Sequence, residues 1–263
     1  MNRALRTAAA GMAAQQLNVD TIAHNLANVN TTGFKKSRAE FQDLMYQTLK
    51  AGGTPVTTGA RETNEIQIGT GTAPMATQKS FLQGDLAATS NPFDLAIHGD
   101  GFFQVRRPDG TMAYTRDGAF KLSGDGTLVT SAGYVVEPGI TITSDAQSLS
   151  VSREGVIEIA EKAGDTPTRV AQIELAKFVN PAGLKAIGDN LFVETTASGA
   201  PIVGAAGSEG FGEIHQGYLE ASNVDVVEEM VSMIVAQRAY EINSKTIKTV
   251  EDMLQMANNL KRG

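Results

Sequence analysis

Apolar side chains keep a helical spacing only at the two ends of this sequence. Leu5, Ala8, Met12, Val19, Ile22, Leu26 and Val29 stand three or four residues apart, with Gln15 filling the one gap. That repeat gathers side chains into a single stripe on an α-helix. At the far end Val226, Met230, Met233, Gln237, Tyr240, Ser244 and Ile247 alternate steps of four and three, followed by Val250, Leu254 and Ala257. Ser222 with Asp225 three residues on resembles a capping box, Glu228 and Glu229 sit at the positive end of this second helix, and Lys261 and Arg262 at its negative end. Each helix needs a partner: ordering a residue costs about 1–2 kcal/mol of backbone entropy, and an isolated amphipathic helix in water does not recover it. Gly11 inside the first helix adds a penalty of about 1 kcal/mol relative to alanine.

From about residue 50 to residue 220 the helical period gives way to Gly, Thr, Ser and Val. Asp109-Gly110, Asp117-Gly118 and Asp125-Gly126 recur at eight residues and separate short β-prone runs such as Phe102–Val105 and Thr127–Thr130, a pattern that predicts an antiparallel meander with tight hairpins. Further strands are expected at Gln172–Phe178 and Leu191–Thr195, with turns at Asn180-Pro181 and Ser198-Gly199. Residues 48–74 are polar, Gly-rich and nearly without core-forming side chains, which predicts an extended arm or loop. The fold class is therefore α+β.

Composition narrows the function. A net charge of −7 argues against wrapping a polyanion, because nucleic-acid binding rests on clustered Lys and Arg. With no cysteine, disulfides and Cys-based metal or nucleophile sites are excluded. His24, His98 and His215 have no metal-ligand spacing, and His24 one turn from Asp20 reads as an ordinary helix-surface pair. The Asp-Gly repeats lack the ligand series of a calcium loop, and no serine stands in a nucleophile elbow. No catalytic residue, metal or cofactor is expected. The N-terminus runs into Gln15, Gln16, Asn18 and Asp20 before an apolar core of signal-peptide length develops, and no stretch approaches the roughly 20 apolar residues of a membrane span.

Two helices that lack partners, bracketing a compact β domain, suit a heterologous contact that repeats into a filament or tube. Gln15, Gln237 and Ser244 in the stripes either fix register between helices or face solvent. A soluble binding module or peptidoglycan-acting enzyme would need a concave site with convergent polar groups, and no such cluster is legible.

Specific motifs sharpen this reading. Ala27-Asn28-Val29-Asn30-Thr31-Thr32-Gly33-Phe34-Lys35-Lys36, preceded by Gln15-Gln16-Leu17-Asn18 and His24-Asn25-Leu26, resembles the signature of the flagellar rod, hook and hook-associated family. The resemblance continues through Asn91-Pro92-Phe93-Asp94-Leu95, Gly99-Asp100-Gly101-Phe102-Phe103 and Tyr114-Thr115-Arg116-Asp117-Gly118. It ends in Gln216-Gly217-Tyr218, Ser222-Asn223-Val224 and Gln237-Arg238-Ala239-Tyr240-Glu241-Ile242-Asn243-Ser244-Lys245. The motif residues singled out are Asn25, Asn28, Thr32, Gly33, Phe34, Asn91, Gly101, Phe102, Gly217, Ser222, Asn223, Arg238 and Asn243.

The resemblance implies a structural subunit with no enzymatic activity, in which terminal helical segments, 1–29 and 221–263, form a coiled-coil-like inner domain lining a tube around an export channel, residues 30–75 form an extended β arm with a Gly-rich insertion, and residues 76–220 form an antiparallel β-rich outer domain. Leu5, Met12, Gln15, Val19, Ile22, Leu26, Val226, Met230, Met233, Gln237, Tyr240, Ser244 and Ile247 would form the helix seams between subunits. The length, and the insertion ending in Gln67-Ile68-Gly69-Thr70-Gly71, fit the distal rod, with a proximal rod or hook-type subunit as the alternative. Partners implied are copies of itself, proximal rod and hook subunits, surrounding ring proteins and the flagellar export apparatus. The implied location is the basal body across the periplasm, reached without a cleaved signal peptide.

Overall fold

The computed structural model describes residues 2–50, 55–57, 60–61, 65–142, 148–160 and 168–260. Parts of the Gly-rich insertion, and Lys261 and Arg262, lie outside them. The chain divides into two compact units: Met1–Leu26, Ser37–Gln78 and Asp225–Gly263 make one, and Ala27–Lys36 with Lys79–Val224 the other.

The first unit holds helix α1, Asn2–Ala27, and helix α2, Val226–Leu260. At 35 residues α2 is about 52 Å long. Its start is capped by Asp225, whose Oδ1 accepts the backbone N–H groups of Val227 at 2.8 Å and Glu228 at 3.0 Å. Ser222, expected as the cap, lies three residues too early.

The two helices run antiparallel. The place a Cβ on Gly11 would occupy lies 2.9 Å from Asn243 Nδ2, and Asn25 Nδ2 donates to a Glu229 carboxylate oxygen at 3.3 Å. From the first contact to the second, α1 advances as many residues as α2 retreats, close to four turns. The Gly11 penalty is thereby explained, since alanine there would press on Asn243. On α1 the expected stripe faces inward: Ile22 and Ala8 are buried, and Leu5, Met12, Gln15, Val19 and Leu26 half-buried. On α2 the shielded face is Glu229, Met233, Ala236, Asn243, Ile247, Val250 and Leu254, which is rotated from the face that apolar spacing predicts.

Between the helices in sequence comes a long two-stranded hairpin. Ser37–Asp43 pairs with Thr72–Lys79, Tyr46–Lys50 with Ile66–Gly69, and Pro55–Thr57 with Ala60–Arg61. Its root sits at Asn25, which bonds both backbone groups of Ser37. Further out, Gly71, with φ at +120°, packs against Thr7 and Ala10, while its carbonyl accepts from the Leu44 N–H at 2.9 Å. The lengths agree: seven strand residues from Ser37 to Leu44 reach about 23 Å, matching the 15–18 helix residues from Asn25 back to Ala10 and Thr7, about 22–27 Å. The arm lies along α1.

The second unit is the β domain. Its nine-stranded sheet follows the order Phe120–Leu122, Leu128–Thr130, Val135–Val136, Phe102–Arg106, Met112–Thr115, Leu191–Val193, Lys185–Gly188. Glu174–Lys177 joins it through Phe102–Arg106 and carries Ile202–Ala205 on its other side. Adjacent residues of one strand feed two cores, because strand side chains alternate faces. Phe103 enters the larger core with Leu95, Ile97, Phe120, Leu175 and Ile214. Phe102 enters a cluster with Tyr114, Phe178 and Phe192, whose rings meet edge to face.

Two of the three Asp-Gly pairs make hairpins, with Gly110 at φ +80° and Gly126 at +77°. Asp117-Gly118 does not. There the backbone crosses so close to Leu95 that any side chain on Gly118 would strike the Leu95 carbonyl oxygen, and the glycine serves close approach in place of a turn.

Candidate assembly surfaces

The signature segment 27–36 is bound into the β domain by charge. The Lys35 ammonium lies 2.5 Å from Glu220 Oε1, both side chains being fully shielded from solvent, and also donates to the Leu82 carbonyl at 2.7 Å. Glu220 takes the Gly84 N–H on Oε1 at 3.0 Å and Arg116 on Oε2 at 3.4 Å. Arg116 in turn stands 5.3 Å over the Phe102 ring. Burial pulls the Lys35 ammonium below the ordinary lysine value, with the Glu220 carboxylate acting in the opposite direction and Arg116 adding to the lowering. Both Glu220 oxygens accept from these cations, whereas Arg116 Nε is buried and bonds none of the described residues; a buried ion pair is tolerated where hydrogen bonds meet its charges.

Around this clamp the motif residues bond both side chains and backbone. Thr31 bonds Asn28 Oδ1 at 3.1 Å, and Thr32 Oγ1 donates to Asp117 Oδ1 at 2.9 Å. Gly33, at φ +66°, donates its N–H to the Glu220 carbonyl at 2.8 Å, and a Cβ there would lie 2.5 Å from Asp117 N. Phe34 is buried beneath Lys79, whose ammonium is 5.2 Å from the ring centroid. Asn223 spans three chain segments: its Oδ1 accepts the Lys36 N–H, and its Nδ2 donates to the carbonyls of Ser80 and Leu82. Asn91 binds Asp94 at 2.8 Å, and Gly217 donates its N–H to the Asp94 carbonyl at 2.7 Å. Gly101, at φ +143°, packs against Leu175. The hydroxyl of Ser222 is buried and bonds none of the described residues.

The first unit has a second polar node. Asn25 uses its oxygen on the Ser37 N–H at 2.9 Å and its amide hydrogens on the Ser37 carbonyl at 2.8 Å and on Glu229. Sequence reasoning marked Asn25 but missed Glu229, Lys35, Arg116 and Glu220 as a set. Charged residues scattered over 185 positions carry no spacing signal.

Outside these nodes α2 is largely uncovered. Of the seam residues expected on it, Met233, Ser244 and Ile247 are half-buried, whereas Val226, Met230, Gln237 and Tyr240 are exposed. Arg238 is exposed, and Asn243 meets Gly11. Val227, Val231, Ile234, Val235, Ile242 and Met256 are also exposed, each by half or more. The arm likewise presents Met45, Tyr46, Leu49 and Met75 to solvent. Contiguous apolar surface on this scale marks an interaction site. Among the described residues no three His, Asp or Glu side chains gather as metal ligands, and no helix is long and apolar enough to cross a membrane. His98 and His215 meet edge to face at 5.7 Å on neighbouring strands.

Known proteins resemble the chain along its length. Residues 5–35 match the family described as flagella basal body rod protein, residues 96–159 the flagellar hook protein FlgE/F/G D1 domain, and residues 215–260 the flagellar basal body rod FlgEFG protein C-terminal region. The flagellar basal-body rod protein FlgG of Borreliella burgdorferi is 55% identical over 100% of both chains. That of Caulobacter vibrioides is 48% identical over 98% of this chain and 99% of its own. The rod protein FlgF of Caulobacter vibrioides is 35% identical over 91% and 89%. These relatives define the class to which the chain belongs, the structural proteins of the bacterial flagellar basal body. This chain belongs to the flagellar basal-body rod protein family and is a structural subunit of that rod.

Proposed function

We propose that this subunit builds the distal segment of the rod, polymerising into a rigid hollow shaft that transmits torque and encloses the export channel. The observation that carries the reading is the exposed apolar length of α2, from Val227 through Ile234 and Ile242 to Met256, which a neighbouring copy would cover. On this reading Leu5, Met12, Gln15, Val19, Ile22, Leu26, Val226, Met230, Met233, Gln237, Tyr240, Ser244 and Ile247 contribute to the helix layer, within and between subunits. The distal position is supported by the higher identity to FlgG than to FlgF of one organism, 48% against 35%. The subunit turns over no substrate. It contacts proximal rod and hook subunits and the surrounding ring proteins, and it crosses the inner membrane through the flagellar export apparatus to work across the periplasm.

Sedimentation and negative-stain microscopy of the full-length chain beside a version trimmed to residues 27–224, which keeps the Lys35 segment of the β domain and lacks both helices, test this. Rods or tubes from the full-length chain, with a folded monomer from the trimmed one, are expected. A full-length chain that stays monomeric at every concentration, even when seeded with isolated basal bodies, would overturn the reading.

A further inference from the structure

Helices packed through small and aliphatic side chains slide easily. On α1 a shift of three residues would replace the buried Ala8, Ala14 and Ile22 by Leu5, Gly11 and Val19, all without polar side chains, so apolar contact alone does not exclude that register. Asn25 and Glu229 break that degeneracy. Both are buried, Asn25 at 2% and Glu229 at 7% exposure. A one-turn shift would leave a buried amide and a buried carboxylate without each other, a far larger loss than an exchange of aliphatic neighbours. Single polar residues in helix seams set register in this way.

The amide of Asn25 is also fully used. Its oxygen and one hydrogen hold the backbone of Ser37, where the arm begins, and its other bond reaches Glu229. Aspartate supplies no hydrogen for either acceptor, and leucine supplies neither hydrogen nor oxygen.

We propose that Asn25 is the positioning residue that sets the axial register of α1 against α2 and, through the same amide, the point at which the arm leaves the helices. The inference concerns geometry within one subunit and stands whether or not that subunit polymerises as proposed.

The absence of cysteine permits an unambiguous trap. Three variants of the full chain report register: Gly11→Cys with Asn243→Cys in register, and, with Asn243→Ala to make room for the new side chain at position 11, Gly11→Cys with Tyr240→Cys or Ile247→Cys about one turn to either side. In the otherwise native chain only the first should form a disulfide readily under mild oxidation. Adding Asn25→Asp should cut the in-register product about five-fold or more and raise one offset product. Adding Glu229→Gln to Asn25→Asp removes the carboxylate repulsion and should restore most of the in-register product. Glu229→Gln alone keeps an acceptor and should trap like the native chain. In-register closure unchanged by both Asn25→Asp and Asn25→Ala would overturn the proposal. So would equal closure of all three pairs, which would mean that Asn25 holds the helices together without selecting their register.

Discussion

Lys35 and Glu220, 185 residues apart in sequence, form an ion pair with no solvent access to either side chain. A buried pair of this kind contributes little net stability relative to a well-packed apolar pair, yet it is costly to break on one side only. In this chain it ties the signature segment to the strand Tyr218–Glu220 and, through Arg116, to the aromatic cluster around Phe102.

Lys35→Met should therefore destabilise the β domain by about 3–5 kcal/mol by leaving Glu220 with only its weaker Arg116 and Gly84 contacts. Glu220→Gln should cost a similar amount by stranding two buried cations. Urea unfolding followed by circular dichroism measures both, and a loss below about 1 kcal/mol in each would mean that the clamp is not energetically coupled to the fold.

The lowered Lys35 value sets a sign for alkaline pH. Between that value and the ordinary lysine value near 10.4 the unfolded chain binds more protons at this site than the folded chain, so its contribution rises with pH and is lost as pH falls through the lowered value. The stability advantage of the native chain over Lys35→Met should accordingly grow between neutral pH and about pH 10. Unfolding free energies taken across that range check it, and a shrinking advantage contradicts the assignment of burial as the main cause.

Two glycines in the same domain should respond oppositely to alanine. Gly118→Ala drives a methyl into the Leu95 carbonyl and should cost more than about 3 kcal/mol. At Gly124 nothing lies within 4 Å of the new methyl, so Gly124→Ala should be neutral or stabilise by up to about 1 kcal/mol. Thermal melts of the two variants separate the cases directly.

Proline tests the helices. Ile22→Pro on α1 and Met233→Pro on α2 each remove a helix hydrogen bond and introduce a clash, at about 3 kcal/mol or more. Assembly should be abolished while the β domain keeps its cooperative unfolding transition. Normal rods from either variant, seen by negative-stain microscopy, would rule out a helix-based assembly.

The helices, the β character of the middle and the arm were legible because each rests on local pattern: a period near 3.6, turn residues between β-branched runs, and a long stretch without core residues. The inward face of α2 was not. Valine, isoleucine and methionine occur on several of its faces, while Glu229, Ala236 and Asn243 point inward, so apolar spacing picked a neighbouring face. The cap was read at Ser222 because Ser-x-x-Asp mimics a capping box, whereas Asp225 needs only its own carboxylate. The Asp117-Gly118 pair is locally indistinguishable from the hairpin pairs; only the crossing of Leu95, 23 residues upstream, gives it a different role. The ionic clamp lay beyond reach for the same reason, since nothing local joins Lys35 to Arg116 and Glu220.

The arm touches α1 at its root, through Asn25 and Ser37, and again at Gly71 against Thr7 and Ala10. A strut held at one point pivots, whereas one held at two separated points cannot turn about its root without breaking the second contact. Swinging the arm away from α1 therefore requires Gly71 to leave Thr7 and Ala10 as well as strain at Asn25.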